Sequence, residues 1–282
     1  MSAPLPLPEP TGPLAQAIGV FDSGVGGLSV LRAIREALPS EDLVYVADSG
    51  HAPYGDKSED HITERTLRVG AWLAQQGVKA LTVACNTATV VAVQHLRAQT
   101  HLPVVAIEPA IKPAVGLTRS GVIGVLATQQ TVQSASVARL CSQHGGDTRI
   151  LLQACPGWVE QVERADLHGP QTMHLLARDI EPLLAQGADV LVLGCTHYPF
   201  LRPAIAAIAG PEVVLVDPAQ AVARELVRRL GAQVRPAGAV AGQVRFFTSG
   251  DLLQAQRTIR HLWGADAQVA RLPAEADHAP VA

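Results

Sequence analysis

Ala17-Ile-Gly-Val-Phe-Asp-Ser-Gly-Val-Gly-Gly27 is a short apolar segment that runs directly into a polar turn rich in glycine. Its pattern returns later in the chain as Val122-Ile-Gly-Val-Leu-Ala-Thr128. A second stretch, Leu81-Thr-Val-Ala-Cys-Asn-Thr87, is echoed by Leu191-Val-Leu-Gly-Cys-Thr-His197, and residues 43–49 and 149–155 form a weaker pair. Because the three echoes keep the same order, they predict a duplicated lobe.

Short β-branched runs alternate with longer helical patterns along the chain. We predict strands at 17–21, 43–47, 80–85, 104–107, 121–127, 150–154, 190–194, 213–217 and 244–248. The clearest helices are 59–76, with Ser58 as its N-cap and Gly77 as its end, and 171–186, which follows Pro170. This alternation is typical of βαβ units around a parallel sheet. The predicted fold class is α/β, with two pseudo-symmetric lobes, each a mostly parallel sheet flanked by helices, and the active site in the cleft between them.

The composition places the chain among folded globular proteins, since 48% of its residues are hydrophobic and 17% are charged. Prolines at positions 4, 6, 8, 10 and 13 predict a disordered leader over 1–16, and no basic residue precedes an apolar core there, so we expect no signal peptide. The Ala-, Pro- and acid-rich end predicts a frayed tail over 268–282.

The distribution of charge argues against a nucleic-acid partner. The 22 basic and 25 acidic residues are spread along the chain, and the one small basic group, Arg224, Arg228 and Arg229, has the spacing of a solvated helix face. Apolar runs are also shorter than the roughly 18 residues that span a bilayer, so we expect no membrane partner. The sequence therefore predicts a soluble, cytoplasmic protein.

The cysteines and lysines argue against a disulfide scaffold, a metal site and a pyridoxal-phosphate cofactor. Cys85, Cys141, Cys155 and Cys195 lie far apart and form no CxxC pair. We expect Cys141, in a helical stretch, and Cys155, before a proline, to be structural. None of the three lysines stands at the end of a predicted strand, where a Schiff base to the cofactor would be placed.

Ligands of parallel α/β sheets bind where strands end, so the residues at those ends are candidates for chemistry. The turn that begins at Asp22 matches neither phosphate-binding glycine pattern, and the carboxylate of Asp22 would repel a phosphate. Asp22 would instead attract an ammonium group, while the amides of the turn could hold a carboxylate. The glycines could equally serve the turn alone.

Cys85 and Cys195 stand at matching strand ends of the two lobes, each where a helix is predicted to begin. A helix N-terminus stabilises a thiolate, whose usual pKa is about 8.5. Two facing thiols suit a reaction that removes an α-proton from one face of a carbon and returns one to the other, which is racemisation. A single catalytic cysteine would instead suggest acyl transfer with His197 as its base. We expect that a histidine two residues after the thiol does not easily share its geometry.

Four blocks together resemble the signature of glutamate racemases, in the Asp/Glu racemase superfamily. They are Asp22-Ser-Gly-Val-Gly-Gly27, Asp48-Ser49 with Pro53-Tyr-Gly55, Cys85-Asn-Thr87 and Gly194-Cys-Thr-His-Tyr-Pro199. The similarity runs from about 17 to 265 and includes Val216-Asp-Pro218 and Thr248-Ser-Gly-Asp251. The two cysteine blocks together are specific to the superfamily, and the blocks Pro53-Tyr-Gly55 and Cys195-Thr-His-Tyr-Pro199 favour glutamate over aspartate.

The resemblance implies that Cys85 and Cys195 transfer the protons, and that Asp22, His197 and Glu163 assist them. It implies that the substrate is held by Asp22, Ser23, Tyr54, Gly55, Asn86, Thr87, Thr196 and His197. It also implies that the enzyme needs no cofactor or metal and that its product, D-glutamate, enters bacterial peptidoglycan. The implied domains are 17–108 plus 219–267 and 109–218, and we expect a homodimer.

The chain departs from the family pattern in two places. The block Cys155-Pro-Gly-Trp-Val-Glu-Gln-Val-Glu163 has Trp158 in place of phenylalanine and Glu160 in place of a proline, which leaves both Glu160 and Glu163 as candidates to assist His197. Val137 stands near the place of a tyrosine. Two alternatives stay open: a superfamily racemase or lyase acting on aspartate, a hydantoin or a malonate, and a module that binds an amino acid without turnover.

Overall fold

The structure, a computed structural model, describes residues 14, 16–236, 238, 240–274 and 276. Most of the predicted leader, 1–16, lies outside the described residues. Within them, two parallel sheets are flanked by helices, so the predicted α/β class with two lobes is confirmed.

The sheet of the first lobe has six strands. Their order across the sheet is β10 (Val269–Arg271), β9 (Val244–Thr248), β2 (Leu43–Ala47), β1 (Ile18–Asp22), β3 (Ala80–Val83) and β4 (Val104–Ala106). The central strands β1, β2 and β3 are buried along their whole length. Both faces of this parallel sheet are covered by other elements, which explains why these strands are continuous apolar runs.

The sheet of the second lobe repeats the arrangement of the first. Its order is β6 (Arg149–Ala154), β5 (Val122–Ala127), β7 (Val190–Leu193) and β8 (Val214–Val216), with every neighbouring pair parallel. The order β6-β5-β7-β8 matches β2-β1-β3-β4, so each sequence echo falls on an equivalent pair of strands. Equivalent strand ends therefore present Cys85 and Cys195 to the same region.

Helices cover both faces of the sheets. They are α1 (Leu28–Ala37), α2 (Glu59–Gln75), α3 (Asn86–Gln99), α4 (Ile111–Val115), α5 (Gln129–Val132), α6 (Ala135–His144), α7 (Trp158–Glu163), α8 (Pro170–Ala185), α9 (Arg202–Ala209), α10 (Ala219–Leu230) and α11 (Leu252–Leu262). The predicted N-cap of α2 is present, since Ser58 Oγ accepts a hydrogen bond from the amide of His61. No described helix combines the length and the hydropathy that crossing a bilayer demands.

The C-terminal part of the chain differs from its prediction. Strand β10, which lies within the predicted frayed tail 268–282, pairs with β9, and Leu272 and Ala276 after it are buried. The prediction was wrong for this segment because a three-residue strand at a sheet edge carries little sequence signal. Strand β9 in turn pairs with β2, which places 244–271 on the first sheet. The domain limits themselves stay a prediction.

Candidate active site

Asp22, at the end of β1, is a fully buried carboxylate that joins the two lobes. Its Oδ1 accepts hydrogen bonds from the amide (2.6 Å) and the hydroxyl (3.2 Å) of Ser23. Its Oδ2 accepts from the amide of Gly27 and, across the cleft, from the hydroxyl of Thr196 at 3.1 Å. Burial raises the pKa of Asp22, although the neighbouring His197 partly offsets this. Asp22 is therefore placed to hold a proton or to meet a positive charge.

Cys85 follows β3 and caps the N-terminus of α3. Its Sγ accepts a hydrogen bond from the amide of Ala88 at 3.4 Å and lies 3.5 Å from the hydroxyl of Ser23. Burial raises the pKa of Cys85, and the negative charge of Asp22 raises it further. The sequence led us to expect a thiolate favoured by the helix, but in this arrangement the lost hydration outweighs the helix amides. Cys85 therefore rests as a thiol here.

Cys195 follows β7 and contacts a histidine. Its Sγ lies 3.7 Å from Nδ1 of His197, whose Nε2 lies 2.8 Å from Oε1 of Glu163. Cys195 leads into a tight turn and a 3-10 helix (Tyr198–Leu201) rather than an α-helix. The expectation that His197 does not easily share the geometry of this thiol is wrong, because the turn folds the imidazole back over the sulfur.

The protonation of His197 follows from these contacts. Burial alone would lower the pKa of His197, but hydrogen bonds to Cys195 and Glu163 raise it well above its ordinary value. The carboxylate of Glu163 only accepts, so Nε2 of His197 donates to it. Nδ1 is then the ring nitrogen that faces Sγ of Cys195.

Of the two candidate carboxylates on α7, Glu163 is the one that lies against His197. Its Oε1 also accepts a hydrogen bond from the amide of Val25 in the first lobe at 2.7 Å. Glu160 lines a neighbouring pocket of about 190 Å³, which Glu163 also borders. Trp158, which replaces the family's phenylalanine, is buried and donates its indole N–H to Asp179 at 2.9 Å, which fixes the start of α7.

The glycines after Asp22 allow the second lobe to approach. A Cβ at Gly24 would overlap the carboxylate of Glu163, and a Cβ at Gly26 would overlap the ring of His197. The turn therefore has a specific need for glycine that is unrelated to phosphate binding.

The predicted substrate-binding residues of α3 lie at the contact between the lobes. Asn86 is only 2% exposed, and neither atom of its amide has a hydrogen-bond partner among the described residues. Unpaired buried polar atoms are unfavourable, so this amide is suited to a polar ligand. Thr87 Oγ1 lies 2.9 Å from Thr128 Oγ1 in the other lobe, and a Cβ at Gly55 would lie 3.0 Å from Cβ of Thr128.

Tyr54 has its hydroxyl engaged within the protein. It donates to Oδ2 of Asp48 at 2.6 Å, and Asp48 also accepts two hydrogen bonds from Arg65, at 2.9 and 2.8 Å. All three side chains are buried. Tyr54 thus belongs to an internal network that holds the Pro53-Tyr-Gly55 turn, and its hydroxyl is already used.

The site includes residues that the sequence analysis did not single out. Thr128 and Thr131 complete a group of three hydroxyls with Thr87, and Thr128 ends the segment that echoes Asp22 and Ser23, so a signal was present. Arg65 lies in the middle of α2, and nothing in its local sequence distinguishes it from a surface arginine.

The remaining cysteines and lysines lie apart from this chemistry. Cys155 donates to the carbonyl of Gln153, and Cys141 lies on α6. Lys79 is paired with Glu41, and Lys57 and Lys112 are exposed. In the described part of the chain, no cluster of three or more His, Cys, Asp or Glu side chains is placed to hold a metal.

The chain matches the model of the Asp/Glu/hydantoin racemase family over residues 18–226. It is similar to the glutamate racemase of Pseudomonas aeruginosa, with 50% identity over 257 residues, which cover 91% of this chain and 97% of that protein.

The structure is similar to two solved structures of glutamate racemases. Isoform RacE1 from Bacillus anthracis has a TM-score of 0.83 and 31% identity, over 92% of this chain and 97% of that one. The Escherichia coli enzyme, in complex with L-glutamate and the activator UDP-MurNAc-ala, has a TM-score of 0.81 and 31% identity, over 92% and 98%.

Proposed function

The chain belongs to the Asp/Glu/hydantoin racemase family, and we propose that it interconverts L-glutamate and D-glutamate without a cofactor. The predicted enzyme class, an isomerase, is confirmed by this membership. The choice of glutamate is supported by the names of the relatives and by the complex of the Escherichia coli enzyme with L-glutamate.

One observation carries the proposal: each lobe supplies one buried thiol at an equivalent strand end, with its own polar partners. Cys85 lies beside Ser23 and Asp22, and Cys195 lies beside His197. A binding module has no need of two such thiols. A thiolate on one side removes the α-proton, and the thiol on the other side donates its proton to the opposite face. The two thiols have then exchanged protonation states.

Each thiol must lose its proton before it can act as a base, and its polar neighbours can take up that proton. Nδ1 of His197 accepts the proton of Cys195, while Glu163 holds the other ring nitrogen. On the Cys85 side, Ser23 and Asp22 form the path to the sulfur. The ammonium group of the substrate would face Asp22 and offset the negative charge that burial disfavours.

The substrate carboxylates need donors, and the amide of Asn86, the hydroxyl of Thr87 and the N-terminus of α3 supply them. Both thiols are nearly inaccessible, Cys85 at 4% and Cys195 at 6% exposure. The lobes must therefore part to admit glutamate and close around it before proton transfer.

The test is the conversion of L- and D-glutamate in deuterated water by dialysed protein with no added cofactor, followed by circular dichroism. We expect racemisation in both directions, with solvent deuterium entering the product faster than the recovered substrate. Activity only after addition of pyridoxal phosphate would contradict the proposal. Turnover of aspartate but not glutamate would favour the aspartate alternative, and binding without turnover would favour a binding module.

The cellular role, the location and the assembly belong to the same proposal. We infer that D-glutamate made in the cytoplasm enters peptidoglycan, and that the enzyme is a homodimer; both rest on the family resemblance. Growth of a host strain in which this enzyme is depleted should be restored by added D-glutamate. Light scattering of the purified protein should give the mass of two chains.

A further inference from the structure

Thr258, on α11, contacts the end of α7 across the boundary between the lobes. Its hydroxyl donates to the main-chain oxygen of Glu163 at 3.1 Å, and Thr258 is only 5% exposed. Helix α11 packs against β10 of the first sheet, whereas Glu163 is the last residue of α7 in the second lobe. The buried hydroxyl of Thr258 therefore forms a hydrogen bond between the two lobes.

The side chain of Glu163 reaches the first lobe at a second point. Its Oε1 accepts from the amide of Val25 at 2.7 Å and from Nε2 of His197 at 2.8 Å. The first lobe therefore holds Glu163 by its main chain through Thr258 and by its side chain through Val25. Both bonds cross from the first lobe to the second, so parting of the lobes would break them.

The end of α7 depends on such external support. The helix has six residues, too few for a helix to be stable by its own hydrogen bonds. Two residues later the backbone of Ala165 has φ 59°, the left-handed region that a residue with a Cβ rarely adopts. Neighbouring elements must hold this segment in place.

We infer that Thr258 is a positioning residue of the racemase: its bond to Glu163 holds the end of α7 so that the Glu163 carboxylate bridges Val25 and His197 on closure. This inference rests on the proposed function. If the lobes open, Glu163 loses both of its bonds to the first lobe. His197 would therefore assist Cys195 only while the lobes are closed.

The test compares Thr258→Val, which keeps the shape but removes the donor, with Thr258→Ser, which keeps the hydroxyl. We expect Thr258→Val to lower kcat about 10-fold, a part of the 10²–10⁴ that a positioned acid–base group contributes. KM should change less than about twofold, because Thr258 does not touch the substrate. Thr258→Ser should restore most of kcat.

A double-mutant cycle and a matched control separate positioning from general stability. With Glu163→Ala already present, Thr258→Val should lower kcat no further, because the two residues act through one contact. The control is Thr118→Val, since the hydroxyl of Thr118 donates to Oδ1 of Asp189 at 2.5 Å within the second lobe and not to α7. It should lower the unfolding midpoint but leave kcat unchanged.

Three results would overturn the inference: unchanged kcat in Thr258→Val, an equal loss of kcat in Thr118→Val, or additive losses in the double variant. Each is read against wild-type protein that racemises glutamate, so the proposed function survives them. An inactive wild type would instead overturn the proposed function.

Discussion

The Sγ of Cys195 lies 3.7 Å from Nδ1 of His197, although only one residue separates them in sequence. The equivalent position in the first lobe is Thr87, whose hydroxyl bonds to Thr128 and not to Cys85. The duplicated lobes therefore carry unequal thiols: one has an imidazole as its partner, and the other has the hydroxyl of Ser23 backed by Asp22.

The two thiols can be tested separately by Cys85→Ser and Cys195→Ser. Each should abolish racemisation while the protein stays folded, because a serine hydroxyl is far less acidic than a thiol whose ordinary pKa is near 8.5. Each variant should still eliminate halide from one enantiomer of a β-halogenated glutamate, the one whose α-proton faces the remaining thiol. The family resemblance assigns D-glutamate to Cys85 and L-glutamate to Cys195.

The matched control is Cys141→Ser on α6, which should racemise at the wild-type rate. Substantial racemisation by either single-thiol variant, or elimination from the same enantiomer by both, would show that one cysteine suffices. The opposite assignment of enantiomers would leave the two-thiol mechanism standing.

Gly26→Ala should lower kcat/KM about 10- to 100-fold, since the added Cβ would displace the ring of His197 and small misplacements of catalytic groups are costly. Gly116→Ala is the control, because its Cβ would meet only one atom, at an ordinary 3.5 Å. Steady-state kinetics should measure kcat/KM for both variants. Equal values would mean that the turn at Gly26 tolerates a side chain.

His197 should make the stability of the protein depend on pH. Its pKa is raised in the folded state, so its contribution to stability is fully present below its unfolded pKa of about 6.5 and is lost as pH rises through the higher folded pKa. The free energy of unfolding of wild type minus that of His197→Asn should therefore fall as the pH rises above about 6.5. Urea titrations of both proteins at several pH values measure this difference in free energy. A difference that does not change with pH would contradict the prediction.

Arg65→Met should destabilise the protein by about 3–5 kcal/mol, because it leaves the buried carboxylate of Asp48 without its cation. Adding Asp48→Asn should recover part of this loss. KM for glutamate should also rise, since Asp48 holds Tyr54 and its turn. Arg68→Met, which breaks a pair with the exposed Glu64 on the same helix, should cost less than about 1 kcal/mol. Chemical denaturation measures the free energy of unfolding of both variants. Equal losses of stability in Arg65→Met and Arg68→Met would refute a special role for Arg65.

The sheets could be predicted because their central strands β1, β2, β3 and β7 are buried, continuous apolar runs that lead into polar residues. That rule located Asp22, Cys85 and Cys195 and would also have located Thr128, which ends β5 in the same way. It did not locate β10, where three residues at an edge lack a long apolar run.

Contacts between distant segments could not be predicted from local pattern. The bond of Arg65 to Asp48 joins residues on different elements, and the one from Thr258 to Glu163 joins different lobes. The state of Cys85 was misjudged for the same reason: the helix that favours its thiolate is visible in the sequence, whereas the burial that opposes it depends on the whole fold.

The near-complete burial of both thiols also bears on damage by oxidants. Peroxide attacks the accessible thiolate, so a closed enzyme with enclosed cysteines offers it little to react with. Irreversible oxidation should then happen during the open intervals of turnover, and the working life of the enzyme under oxidative stress would follow how long its lobes stay apart.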